Sequence, residues 1–470
     1  MKTVPSPATD SLPTQRWYCK SPAVFTGKQI TDMNENEKNS LGYTPEEYKK
    51  FTDYAWRFLI LFSLLYMTVY CCRLNLANAA PVMMAEKGWT SADIGILTSV
   101  LFWTYGIGQL VNGRLSEIFG AGRFIVLAVT LSAACNLLFS FQNSIVIMAV
   151  IWAFNGFFQS MAWAPGLSLL ANWWPSARRG FASGFLHAFS GFGQACATLA
   201  VALSLKVLPG MGWRACFVLP AAVPAVMLAV YKFFAKDTPA GIGLAPYVES
   251  SRQAAENEGE MAALVKEKGA LYPFRHVLAD KRFRAWLLIV LICGLARYGL
   301  STWVPLYFTQ RFGVDVTAGL LQSLALPVGM GVGTFVVPVL TDRFCPEDRR
   351  PAVVVSAVAA AVSVAVFLLL DPTTVLGKIL VSTMLFAAGF AIYAISGVSF
   401  AYACDLGGRV FTATCSGILD FSAYVGAALQ SMIYGFILDK AGWNTVFISI
   451  AVFCLVSAFI AGRKDHGTAQ

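Results

Sequence analysis

Charge is the scarcest ingredient of this chain. Only 13% of its 470 residues are Asp, Glu, Lys or Arg, while 57% are hydrophobic. A soluble surface cannot be built from so little charge. Histidine is nearly missing too, with His187, His276 and His466 far apart. The 11 cysteines are scattered, with no C-x-x-C pair, and the adjacent Cys71 and Cys72 are poorly placed to share a metal. Those shortages argue against a metal centre and against a disulfide framework. No nucleophile motif or Walker sequence appears, so neither an enzyme nor a cofactor is expected. No N-x-S/T sequon occurs, which favours a bacterial inner-membrane protein over a glycosylated surface protein. The first 50 residues contain no apolar core, so no cleavable signal peptide is expected.

What fills the chain instead is long apolar runs. About twelve stretches of roughly 18–25 residues match the length that crosses about 30 Å of hydrocarbon. They lie near 56–84, 92–113, 124–142, 145–171, 181–206, 214–235, 284–308, 317–340, 352–370, 376–402, 410–437 and 443–462. The expected fold is an all-α integral membrane protein of twelve transmembrane helices in two pseudo-symmetric six-helix bundles. The boundaries predict a tail over 1–50, a first bundle over 51–235, a linker over 236–283, a second bundle over 284–462 and a tail over 463–470. The formal charge of +9 does not signal nucleic acid, because of where the basic residues fall. With both termini in the cytoplasm, the inner side receives most of them, including Arg123, Arg178 and Arg343. The other side keeps only Lys87, Lys206, Arg214, Arg311, Lys378 and Lys440. That is the positive-inside pattern of a multi-pass protein in the cell's inner membrane. The lipid bilayer is then the only macroscopic partner, and a monomer is the default for a carrier of this size.

Two local signals refine the ends. Thr44, Pro45 and Glu47 read as a capping box opening a helix. Within the linker, Ser251 to Lys268 is rich in Glu, Lys and Ala, and reads either as an amphipathic surface helix or as a solvated connection.

Against this apolar background, two arginines stand deep inside spans. Arg73 lies in YCCRLNLANAAP and Arg297 in GLARYGLSTWVP. A proline follows each by eight residues, at Pro81 and Pro305. An acid follows at nearly the same distance: Glu117 lies 44 residues after Arg73, and Asp342 lies 45 after Arg297. An arginine at mid-membrane costs about 2.5–3.5 kcal/mol on insertion scales, so a duplicated pair implies a task. A guanidinium fork fits a phosphate or carboxylate bidentately, and two forks suit a dianion. The implied task is holding a small anionic substrate between two halves of a carrier.

Other polar residues group around this idea. Tyr66, Tyr70, Arg73 and Ala77 share a face if the first span is a regular helix. Arg297 shares one with Ser301. The fifth span carries Ser183, His187, Ser190, Gln194 and Thr198 on one stripe. His187 can hold a proton or donate to a substrate, or simply bond a neighbouring helix. The second span offers Tyr105, Gln109 and Asn112, and the fourth Asn155 and Gln159, either lining a cavity or bonding between helices. Tyr393 is a candidate phenol in the tenth span. Asp420, in GILDFSAYVGA, is the one acid placed well inside a span. It can pair with an arginine, carry a coupling proton, meet an amine on the substrate, or make only a local bond.

The segments GRLSEIFGAGR and PVLTDRFCPEDRR resemble the signature loop of the major facilitator superfamily. Its acids and bases here, Glu117, Arg123, Asp342 and Arg343, are candidate gating residues. YCCRLN, then Gln159, Trp163 and Pro165, Trp173-Trp174, Arg179-Gly180, DTPAGIGL and RYGLSTWVPLY follow in order. Together they resemble the organophosphate:phosphate antiporter family, over about residues 54 to 462. The resemblance implies rocker-switch exchange of a phosphate ester for inorganic phosphate, with Arg73 and Arg297 on the phosphoryl group. Some relatives in that family sense an external sugar phosphate instead. Two positions depart from the family's pattern. Gln109 stands where members carry a lysine, and Ser190 where they carry a histidine. With a positive charge lost and Asp420 present, a less negative or zwitterionic anion, or proton coupling, becomes an expectation.

Overall fold

The computed structural model describes residues 41–247, 259–261, 263–269, 271–345 and 348–463. The tail before Leu41 and the stretch from Ser251 to Glu258 therefore lie outside the described residues. Residues 263–268, further along the linker, are helical.

Among the described residues, eleven helical stretches are long and apolar enough to cross a membrane. The last, Thr414–Gly462, has 49 residues. That is enough for two crossings of about 20 residues each. Gly442 separates them, with a φ of 75° that an L side chain rarely adopts. The crossings thus number twelve. The capping box is present. The Glu47 amide donates to the Thr44 hydroxyl, and the Thr44 amide donates to the Glu47 carboxylate at 2.9 Å.

The DTPAGIGL motif is a clasp on the end of the first six spans. Asn172 and Trp173, closing the fourth span, donate side-chain N–H groups to the carbonyls of Asp237 and Lys236. Tyr231, in the sixth, donates to Asp237 Oδ1 at 2.7 Å. Lys50, leading into the first, donates to the Ile242 carbonyl at 2.8 Å, and Tyr43 to that of Ala245. A Cβ at Gly122 would displace the Asp237 carboxylate from its place beside Tyr231. These bonds satisfy backbone carbonyls where the chain leaves the apolar region.

Four main clusters of buried side chains hold the bundle together. One is drawn wholly from residues before 248, and one wholly from residues after 276. A third combines Leu97, Leu101, Phe102, Trp152 and Trp213 with Tyr298, Tyr424 and Ala427, joining the second and fourth spans to the seventh and eleventh. It fills the end away from Pro45 and Gly462. Small residues let the helices close there. Gly95 rests against the Ser431 carbonyl, and Gly435 against that of Ser91. Asp439 then accepts from the amides of Ser91 and Ala92 at 3.2 and 3.0 Å, capping the second span from the end of the eleventh.

Candidate functional site

The first span does not run straight through Arg73. Its helix, Pro45–Val69, tightens into a 3-10 turn over Tyr70–Cys72, and a new helix begins at Asn75. Arg73 sits in the break at φ −119°. Amide side chains from neighbouring spans bond the backbone there. Gln159 donates to the Val69 carbonyl at 3.1 Å. Asn155 and Asn136 donate to the Cys72 carbonyl at 2.8 and 3.0 Å. Asn75 donates to Asn136 Oδ1 at 2.8 Å. Asn155 and Gln159 thus bond between helices. Tyr66, Tyr70, Arg73 and Ala77 do not share one regular helical face, because the break intervenes. Arg73 still reaches Tyr70, stacking over its ring at 4.1 Å across the turn. The seventh span, Lys281–Phe312, carries Arg297 on unbroken helix and takes Pro305 within it. Matching sequence spacing therefore rests on two different backbones.

Arg73 also stacks over Tyr105 at 4.8 Å, and its Nη1 donates to the Tyr424 hydroxyl at 2.9 Å. Arg297 stacks over Tyr393 and Tyr298 at 3.9 and 4.6 Å, and its Nη2 donates to the Tyr393 hydroxyl at 3.0 Å. Both arginines are buried, and neither forms an ion pair among the described residues. Each therefore rests on neutral phenols. Arg73 keeps Nε and Nη2 unbonded, and Arg297 keeps Nε.

A small cavity with about 30 Å3 of water-accessible space lies between the halves. Tyr66, Tyr70, His187, Ser190, Arg297, Tyr393 and Asp420 all face it. Arg73 and Gln109 do not line it; they lie behind the wall made by Tyr70, Tyr105 and Tyr424. Access to Arg73 requires those phenols to turn aside. His187 is sandwiched among Trp163, Tyr393 and Phe400 at 5.4–5.5 Å between centroids, with Nε2 unbonded. Ser190 and Tyr393 share a hydrogen bond of 2.7 Å, and Ser301 donates to Gln194 at 2.8 Å. Thr198, further along the stripe, donates to Asn78 at 3.3 Å.

Asp420 pairs with neither arginine. Its Oδ2 accepts from Gln109 Nε2 at 2.9 Å, across the two halves. Gln109 also contacts the Tyr105 hydroxyl at 3.2 Å. Of the hairpin residues, Arg123 and Arg343 are exposed, and Arg343 lies over Phe344 at 5.7 Å. The side chains of Glu117 and Asp342 fall outside the described part. The site residues that sequence reasoning passed over are mostly aromatic: Tyr298, Tyr424 and Phe400. Signals existed for two. Tyr298 adjoins Arg297, and Tyr424 stands four residues after Asp420, on the same helical face.

Known proteins agree with this architecture. The Major Facilitator Superfamily profile matches residues 62–430. The chain belongs to that superfamily. It is therefore a multi-pass membrane transporter by family, not an enzyme. Its sequence is 26% identical over 413 residues to the glycerol-3-phosphate transporter of Bacillus subtilis, covering 86% of this chain and 90% of the relative. It is 25% identical over 435 residues to a probable hexose phosphate transport protein of Chlamydia trachomatis, covering 88% and 92%. It is 25% identical over 410 residues to the membrane sensor protein UhpC of Salmonella typhimurium, covering 86% and 90%. These relatives are consistent with the organophosphate:phosphate antiporter family. Among solved structures, a bacterial homolog of the human lysosomal transporter Spinster superposes with a TM-score of 0.67, at 16% identity, covering 87% of this chain and 96% of that one. That likeness concerns the fold.

Proposed function

We propose that this transporter exchanges a small phosphorylated organic anion for inorganic phosphate by alternating access. One observation carries the reading. Among the cavity-lining residues the unbonded buried polar atoms are Arg297 Nε and His187 Nε2, and behind the wall Arg73 keeps Nε and Nη2. Every one can donate a hydrogen bond, and none is an obligate acceptor. Buried donors left without partners are costly, so the site awaits an acceptor-rich anion. Two guanidinium groups without carboxylate partners favour a dianion such as a phosphomonoester. The named activities of the Bacillus and Chlamydia relatives support a glycerol- or sugar-phosphate-like substrate.

In this reading residues 51–235 and 284–462 are the two rocking bundles, joined by 236–283. Both ends lie in the cytoplasm, and the membrane is the bacterial inner membrane. The hydrophobic cluster that includes Leu97, Phe102, Trp213 and Tyr298 then seals the outer side, and the cavity opens inward.

The test is uptake of radiolabelled phosphate into proteoliposomes preloaded with unlabelled phosphate. Exchange by the wild type, lost in both Arg73→Ala and Arg297→Ala, is the expected result. Failure of folded wild-type protein to exchange would remove the antiport reading. A second reading, a membrane sensor of an external phosphorylated sugar, is favoured by the similarity to UhpC. Binding of phosphate esters without any uptake would select it.

A further inference from the structure

An anion site has no obvious use for a carboxyl group, yet Asp420 faces this one. It sits among the lining residues with Arg297, and forms no ion pair with either arginine among the described residues. Its Oδ2 is fixed by Gln109. Its Oδ1 makes no hydrogen bond within the protein and is absent from the sealed, unbonded atoms, so it opens on the cavity. A carboxylate in such a place repels the phosphoryl group that the arginines attract. A ligand with a positive charge of its own turns that repulsion into an attraction. Aromatic rings line the same space: Tyr66 and Trp163, with ring centroids 5.1 Å apart, and Phe400. Rings of this kind favour an ammonium group over the face.

We infer that the substrate is zwitterionic, a phosphomonoester or phosphonate bearing a primary amine. The arginines take its phosphoryl end, and the Asp420 carboxylate takes its ammonium. The inference rests on the phosphate reading above. Gln109 is the complementary specificity residue. As a neutral amide it orients Asp420 without forming an ion pair with it, which leaves the carboxyl group free for the ligand. A lysine there would occupy Asp420 and cancel the selectivity.

The decisive comparison uses two esters of equal size: phosphoethanolamine and propyl phosphate, which replaces the ammonium with a methyl group. Inorganic phosphate is the control. Binding to the purified full-length protein is read as ligand-dependent thermal stabilisation, in the wild type, Asp420→Asn and Gln109→Lys. The wild type is expected to bind phosphoethanolamine more tightly than propyl phosphate by roughly tenfold or more, the scale of one charge-assisted hydrogen bond. That preference is expected to fall within about threefold in either variant. Equal binding of the two esters by the wild type overturns the inference and leaves the phosphate reading standing. So does a preference that survives Asp420→Asn. If none of the three compounds stabilises folded wild-type protein, the phosphate reading fails and the inference fails with it. The wild-type comparison alone decides the matter should a variant not fold.

Discussion

Replacing Arg73 with lysine tests the phosphoryl clamp while conserving charge. The structure sets the expected loss. Arg73 spends Nη1 on Tyr424, lies over the rings of Tyr70 and Tyr105, and keeps Nε and Nη2 unbonded. Those two groups form one edge of the guanidinium, with the spacing of two phosphate oxygens. Lysine offers a point charge on a flexible stem. It cannot hold the phenol and present two parallel donors together. One charge-assisted hydrogen bond is lost, at about 1.5–3 kcal/mol. Part of the stacking goes too, at about 0.5–1 kcal/mol. The sum is about 2–4 kcal/mol, or roughly 30- to 1000-fold in phosphate affinity. The assay is concentration-dependent stabilisation by inorganic phosphate, with exchange in proteoliposomes as the second readout. An Arg73→Lys protein that binds phosphate within about threefold of wild type would refute a bidentate role for Arg73.

Three further outcomes follow from other contacts. Tyr393→Phe removes the hydroxyl that Arg297 and Ser190 share but keeps the ring beneath the guanidinium. Phosphate affinity should hold or rise by up to about tenfold, since a charge-assisted bond of about 1.5 kcal/mol from Arg297 no longer competes; binding weakened tenfold would mean the phenol itself contacts the ligand. Asp439→Asn weakens the cap on the second span by about 0.3–1 kcal/mol. It should raise thiol-reagent labelling of a cysteine placed at Leu97, in a background lacking the native cysteines; unchanged labelling would show that this cap does not bias closure. Asn155→Leu loses the bond to the Cys72 carbonyl and the one from Ser132, and should cost about 1–2 kcal/mol in denaturant unfolding; wild-type stability would refute a structural role at the break.

The sequence carried the helices because a membrane span needs little more than length and apolarity, and because a lone arginine inside one is costly enough to be conspicuous. It misled at the first span. The alternation of Tyr66, Tyr70 and Arg73 looks like one helical face, but the backbone tightens at Tyr70. The partners that compensate, Asn136, Asn155 and Gln159, come from other spans and leave no local trace. The aromatic lining was equally hard to read. Tyr298 and Tyr424 carry only weak signals, one beside Arg297 and one a helical turn after Asp420, and the fold alone brings them against the guanidinium groups. Asp420 was conspicuous in sequence, whereas its tie to Gln109 depends on how the second and eleventh spans meet.

The identity of the groups that hold the empty arginines bears on coupling. A guanidinium locked to a carboxylate would make an incoming anion displace another anion, and much of the binding energy would be lost in that trade. Here the partners are phenols, neutral acceptors that satisfy one N–H each and leave the charge uncompensated. A phosphoryl group that reaches the free Nε–Nη2 edge of Arg73 meets a charge that no carboxylate has claimed. The same phenols hold the halves together. Tyr424 of the eleventh span accepts from Arg73 of the first, and Tyr393 of the tenth bonds Ser190 of the fifth. In the proposed exchange, an empty carrier that keeps these inter-half bonds would stay in one orientation, which is the condition for exchanging one anion for another rather than leaking.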